Sequence, residues 1–421
     1  MPSTATRPEA SSRASARTAV RPRLAGFWGA LEGRRALDWA ALLIGLCTAV
    51  LTVLGLVMVL SASSVEAISS SGGSYGLFLR QGGWALGGAV LLAVLRRLPV
   101  DLYRRLAWAA YLFAFLLLAL VAFTPLGKEV NGNTNWLQLG PVTFQPSEAA
   151  KLAMALWAAA VLQRKERLVH LVSHALVPVL PFGVALILLV LKGRDLGTAL
   201  ILAFILAVIL FVAGTPGRVF AVLAGIGVVA ALGMTVFAAN RMERVQAWLF
   251  GCEGLQGDPC MQPDHGIYAL ASGGWWGVGL GQSRQKWNYI PEAENDFIFT
   301  ILGEELGLVG TLLVLACFVG LAVGMYRVAA GASSTFVRLA TWGILAWIVG
   351  QAAMNIAMVT GLLPVVGVPL PFISYGGSAL TLSLAAVGVV LSFARHERDL
   401  LPAAEASAAD PASSASPQES R

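Results

Sequence analysis

Runs of apolar residues about as long as a bilayer is thick recur down this chain, and they restrict its fold more than any other feature. Ten segments stand out, at roughly 38–61, 78–95, 106–124, 147–162, 174–191, 197–213, 218–237, 297–325, 337–360 and 378–394. A helix needs about 20 such residues to cross a hydrocarbon core of about 30 Å. With 57% hydrophobic and 12% charged residues, against about a quarter charged in ordinary globular chains, a soluble fold would need nearly every helix buried on all sides. The expected class is all-α: a polytopic membrane protein of about ten transmembrane helices with one large extracytoplasmic loop, 238–296.

This membrane body is expected over 37–398, between two tails. Residues 1–36 are rich in Arg, Ser, Ala and Pro, with Arg7, Arg13, Arg17, Arg21, Arg23, Arg34 and Arg35. No apolar core precedes the first span, so this reads as a disordered basic tail and not a cleaved signal; an organelle transit peptide is the lesser alternative. Residues 399–421 are Ala/Ser/Pro-rich and read as a second disordered tail. Arg96 with Arg97, Arg164 to Arg167, Arg218, Arg327 with Arg338, and Arg395 with Arg398 fall on alternate sides of successive spans. The positive-inside rule then places both termini in the cytoplasm. The segments left facing outward are 62–77, 125–146, 192–196, 238–296 and 361–377. The net charge of +6 is read as membrane orientation, with no nucleic-acid partner.

Chemistry gathers in the outward segments. Asp296 stands where a polar, aromatic loop enters the eighth apolar run, and a carboxylate at the mouth of a span is a functional-site hypothesis. With Asn295 as N-cap, Asp296 would occupy the first helical position, where complementing the helix dipole is the plainer reading. Glu304 and Glu305 follow about 12 Å deeper along a straight helix, with a structural role expected. Pro146 and Glu148 mark the start of the fourth span. Lys151 is one turn further on, either ion-paired to Glu148 or aimed at an anionic substrate. Lys192, Arg194 and Asp195 crowd a very short turn, with Asp195 placed to cap the next helix. Cys252 and Cys260 share the long loop and suggest a disulfide; a zinc site would need further ligands, and His265 is the only histidine near. The glycine-rich 273–281 reads as a tight turn with Trp275 and Trp276 at headgroup level, followed by Arg284 and Lys286. The apolar, proline-broken 363–378, which includes Ser374, cannot continue a helix. It is expected to wall the Asp296 site.

These stretches resemble the SEDS membrane proteins of shape, elongation, division and sporulation. The matching residues are Gln145-Pro146-Ser147-Glu148 with Lys151, the Asp195-Leu196-Gly197-Thr198 turn, and 279–286, 291–299, 303–307 and 371–378. The early 55–64 and the Ser283-Arg284-Gln285-Lys286 run look more like the division branch, FtsW, than RodA. Where many members carry arginine after an Asn-Gly, this chain has Asn131 to Asn135, leaving Lys128 as a substitute cation. Arg194 replaces a common proline, and His265-Gly266 a common Gln-Ser.

The resemblance implies a peptidoglycan glycosyltransferase that polymerises lipid II on the outer face of the bacterial cytoplasmic membrane, at the division septum. It would work with a class B penicillin-binding protein and other divisome proteins, among membrane lipids. The family's essential aspartate falls on Asp296, its span-four lysine on Lys151 and its polar aspartate on Asp195. Asp296 would activate the acceptor hydroxyl. Lys151, Arg194, Arg284, Lys286, Asp195 and Ser374 would bind substrate, with cations on the leaving diphosphate, alone or with a divalent metal such as magnesium or manganese. The competing readings are a lipid II flippase and a divisome scaffold.

Overall fold

The computed structural model describes residues 33–69, 75–130, 132–140, 142–168, 171–236, 239–252, 260–287, 290 and 293–401. Most of the two expected tails therefore lies outside the described residues, as do Asn131, Tyr289, Pro291 and Glu292. Helix already begins at Gly33 and runs to Leu400, a few residues into each expected tail.

In chain order the helices are α1 (Gly33–Ser69), α2 (Gly76–Leu95), α3 (Val100–Phe123), α4 (Pro146–Arg164), α5 (Val172–Leu176), α6 (Val179–Lys192) and α7 (Leu196–Val212). They continue as α8 (Gly217–Val236), α9 (Ala239–Phe250), α10 (Met261–Gly273), α11 (Ile298–Ala330), α12 (Thr335–Val359) and α13 (Gly377–Leu400). Each of the ten apolar segments coincides with a helix. Among the described residues six helices, α1, α2, α3, α11, α12 and α13, are long and apolar enough to cross a membrane; α6 and α7 are shorter apolar helices. The fifth segment is split, because Pro178 separates α5 from α6.

α4 is the axis of the bundle. It packs against α3, α6, α7, α12 and α13, and every residue from Ala153 to Leu162 is buried. Buried alanines at 150, 153, 155 and 158–160 let its neighbours approach closely. Trp157 closes one side against Tyr111, Trp108 and Phe182, with ring centroids 4.5, 5.4 and 5.9 Å away. A helix enclosed by protein can carry Glu148 and Lys151 where a lipid-facing one could not.

Two of the connecting segments carry structure of their own. The segment before α4 folds as a small antiparallel sheet of β1 (Gly127–Val130), β2 (Asn133–Leu139) and β3 (Val142–Phe144), in the order β1-β2-β3. The Thr134 amide donates to Gly193 O at 3.0 Å, which fastens β2 to the α6–α7 turn. The long loop 238–296 is itself built, from α9, α10 and the Cys252–Cys260 disulfide, whose Cα atoms are 6.1 Å apart.

α11 is not one straight rod. Gly307 adopts φ 67° and ψ −164° inside it, and such a break exposes backbone groups that apolar surroundings cannot satisfy. The glycine-rich turn after α10 supplies the partners. Val278 N and Gly279 N donate to Glu304 O and Glu305 O, while Leu308 N and Val309 N donate to Gly274 O and Trp275 O. A Cβ on Gly273 or Gly277 would overlap the backbone of 303–307. Glu304 and Glu305 lie in the last turn before this break, on the continuous helical stretch that follows Asp296.

Gly277→Ala should cost more than about 2 kcal/mol, since φ +76° and overlap with Glu305 both oppose it. Gly281→Ala, with φ +79° but open space, should cost about 1 kcal/mol. Unfolding in detergent measures both; equal losses would contradict the seam.

Candidate active site

Helix starts α4, α7, α11 and α13 and the end of α12 meet at one end of the bundle. Asp195 caps α7: its carboxylate accepts from Thr198 N at 2.9 Å and Thr198 Oγ1 at 2.8 Å. It also accepts from Asn135 Nδ2 at 3.0 Å and Gln145 Nε2 at 3.3 Å. One buried carboxylate thus joins β2, the entry to α4 and the start of α7. Expected among the substrate-binding groups, Asp195 is instead committed to protein donors. Arg194 beside it is exposed, in a left-handed conformation with φ 62°.

Lys151 is 1% exposed. Its ammonium donates to Glu148 Oε1 and to Gln351 Oε1, both at 2.8 Å, and lies 5.0 Å from the Trp347 ring centroid. Of the two expectations for Lys151, the ion pair is the one the geometry realises. A charge this enclosed is tolerable only because it is paired and hydrogen-bonded. Gln351 passes the connection on, donating from Nε2 to Pro369 O at 2.8 Å.

Pro369 belongs to the proline-broken loop between α12 and α13, which packs beside Asp296 as a wall. Asn355 Nδ2 donates to Val368 O at 2.6 Å and to Asp296 O at 2.8 Å. A Cβ on Gly367, which has φ +75°, would sit 3.3 Å from Asp296 Oδ2. Tyr375 N donates to Glu294 O at 2.8 Å. Ser374 is turned to the loop's own needs: Leu370 N donates to its Oγ at 2.7 Å. Gln81 on α2 donates to Ser374 O and accepts from Gly376 N, at 3.3 and 3.2 Å. Asp296 itself is partly exposed. It lies in the turn before α11, whose N-cap is Phe297, so it precedes the first helical position expected for it.

A second polar cluster lies at the break in α11. Glu305 accepts from Ser61 Oγ at 2.6 and 2.7 Å and pairs with Lys286 Nζ at 3.2 Å. Glu304 accepts from Ser283 Oγ at 2.5 Å and Arg284 N at 2.9 Å. Lys286 also donates to Gly281 O at 2.8 Å. Lys286 was expected to bind substrate, yet it is buried and spends its donors inside the protein, tying the 281–286 turn to α1 and α11. The Arg284 side chain is exposed.

The residues missed by the sequence reading are Gln351, Asn355, Trp347 and Gln81. Trp347, Gln351 and Asn355 recur every fourth position in an otherwise apolar helix, the spacing of a single face, and that periodicity was the available signal. Among the described residues no three of His, Cys, Asp and Glu gather as a metal site. Asp195 and one oxygen of Glu148 accept from protein donors, while Glu148 Oε2 is buried without a hydrogen-bond partner.

The architecture is that of a polytopic helical membrane protein with a partly exposed carboxylate in a protein-lined mouth. The family profile described as cell cycle protein, for FtsW, RodA and SpoVE, matches residues 41–399, and the chain belongs to that family. It is 39% identical over 398 residues to the probable peptidoglycan glycosyltransferase FtsW of Mycobacterium tuberculosis, covering 94% of this chain and 74% of that one. It is 38% identical to stage V sporulation protein E of Bacillus subtilis, covering 85% of this chain and 97% of that one. A chain of a solved peptidoglycan synthase complex that coordinates polymerization and crosslinking superposes with a TM-score of 0.68 at 29% identity, over 84% and 97% of the two chains. The rod shape determining protein RodA of Thermus thermophilus gives 0.63 at 28% identity, over 84% and 96%.

Lys286→Met should destabilise the fold by about 3–5 kcal/mol, leaving Glu305 buried without its counter-charge. Adding Glu305→Gln should recover part of the loss, with a coupling of about 1 kcal/mol or more. Additive losses in denaturation of the four proteins would show that the pair is not a unit.

Proposed function

We propose that this chain is a peptidoglycan glycosyltransferase of the FtsW type, polymerising lipid II at the outer face of the cytoplasmic membrane during septal wall synthesis. The observation that carries the reading is Asp296: a partly exposed carboxylate fixed by its own backbone at the mouth between α11 and the proline loop, in a chain of this family. Both termini lie in the cytoplasm, so the end bearing Asp296 faces outward. The partner is a class B penicillin-binding protein within the divisome, a reading supported by the similarity to a synthase complex that couples polymerization to crosslinking.

In the reaction a sugar hydroxyl attacks the anomeric carbon of a lipid-linked sugar. The bond from that carbon to the diphosphate oxygen breaks, and the diphosphate leaves with its polyprenyl tail. Asp296 takes the hydroxyl proton as general base. Lys151 and Lys286 are enclosed, leaving the exposed Arg194 and Arg284 as the better-placed cations for phosphate oxygens. Any divalent ion would arrive on the diphosphate. Apolar helices flank the prenyl chain.

The flippase reading fits less well. Transporter sites use half-helix ends left open near the bilayer midplane. Here the carbonyls at the α11 break accept from the glycine-rich turn, and the polar groups around Asp296 gather at one end. A scaffold would not require a carboxylate in a polar mouth.

Asp296→Asn, reconstituted with lipid II and the penicillin-binding protein, should polymerise at least about a hundredfold more slowly while still binding lipid II. Polymer at the wild-type rate would remove Asp296 from the chemistry.

A further inference from the structure

Asn355 is fully buried in an apolar helix, and it spends one amide nitrogen on two carbonyls from different segments. One is Asp296 O, in the turn before α11; the other is Val368 O, in the proline loop. Two acceptors on one side fix which end of the amide is nitrogen. Around it, α12 grips the loop along one face. Gln351 donates to Pro369 O at 2.8 Å, and Val366 N donates to Met358 Sδ at 3.2 Å. Positions 351, 355 and 358 follow helical spacing, so the loop is held at three successive points.

The start of α7 closes on the same residues. A Cβ on Gly197 would lie 2.7 Å from Val368 Cγ2 and 3.2 and 3.3 Å from Val366 O and Gly367 O. The loop apex thus has little room, and Gly367 brings its backbone up to the Asp296 carboxylate. Where the carboxylate sits depends on the separation between its own backbone and that apex. Asn355 bridges the two.

We infer that Asn355 is a positioning residue for Asp296, setting the carboxylate against the proline loop without touching sugar or phosphate. The inference rests on the function proposed above. Leucine at this site keeps the volume and removes both donors; aspartate keeps the shape and presents acceptors to two carbonyls. A misplacement of about 1 Å at a reacting group is enough to slow a reaction about a hundredfold.

The full chain, reconstituted with its penicillin-binding protein, would be compared as wild type, Asn355→Leu and Asn355→Asp, with folded fraction set by lipid II bound per protein. Both variants should lose at least about tenfold in kcat, with KM for lipid II within about threefold of wild type. Amide hydrogen exchange should quicken in 293–299 and 364–376 and stay unchanged in α4. Wild-type kcat in either variant, a rise confined to KM, or exchange quickened throughout the bundle would overturn the inference. Exchange is read without turnover, so it remains decisive if a variant is inactive. Polymerisation by Asp296→Asn would instead remove the functional reading and leave the exchange result standing.

Discussion

Lys151 brings an ammonium into a helix enclosed on all sides, and the end of the molecule that bears Asp296 is arranged around accommodating it. Burying an ammonium costs several kcal/mol unless its donors are met. Glu148 answers the charge, and Gln351 takes a second donor and so turns its amide nitrogen toward Pro369. From there the constraint passes into a loop that has no helix of its own to hold it. The cation therefore shapes the mouth from within, through α12, instead of reaching out of it.

The same logic separates the acidic residues near the head of α11. Glu304 and Glu305 are surrounded by amide, hydroxyl and ammonium donors and are spent on holding the chain together. Asp296 meets the loop wall and retains partial exposure. The other two secure the half-helix that follows it.

Local patterns made much of this legible. The ten apolar runs each became helix because hydrophobic length is written contiguously. The Glu148–Lys151 spacing, the Asp195 cap and the Cys252–Cys260 pair are likewise short-range. What escaped depends on distant partners. Lys286 looks like a free loop cation until Ser61, 225 residues away, and Glu305 are folded against it. The break at Gly307 needs a docking segment from beyond α10, and three strands of 4, 7 and 3 residues are too short to announce themselves. The α12 stripe was visible as a period, but its meaning required the loop it faces.

The seam between the glycine-rich turn and the broken helix is made of backbone on both sides. Peptide groups are identical at every position, so such a joint carries almost no side-chain code; it asks for glycine where atoms would collide and for little else. The side chains of the turn are thereby released from packing duty. Trp275 and Trp276, 68% and 82% exposed, point away from the joint they flank. The turn can then serve two masters independently, with its peptide groups completing a helix and its indoles free to suit whatever environment borders that face.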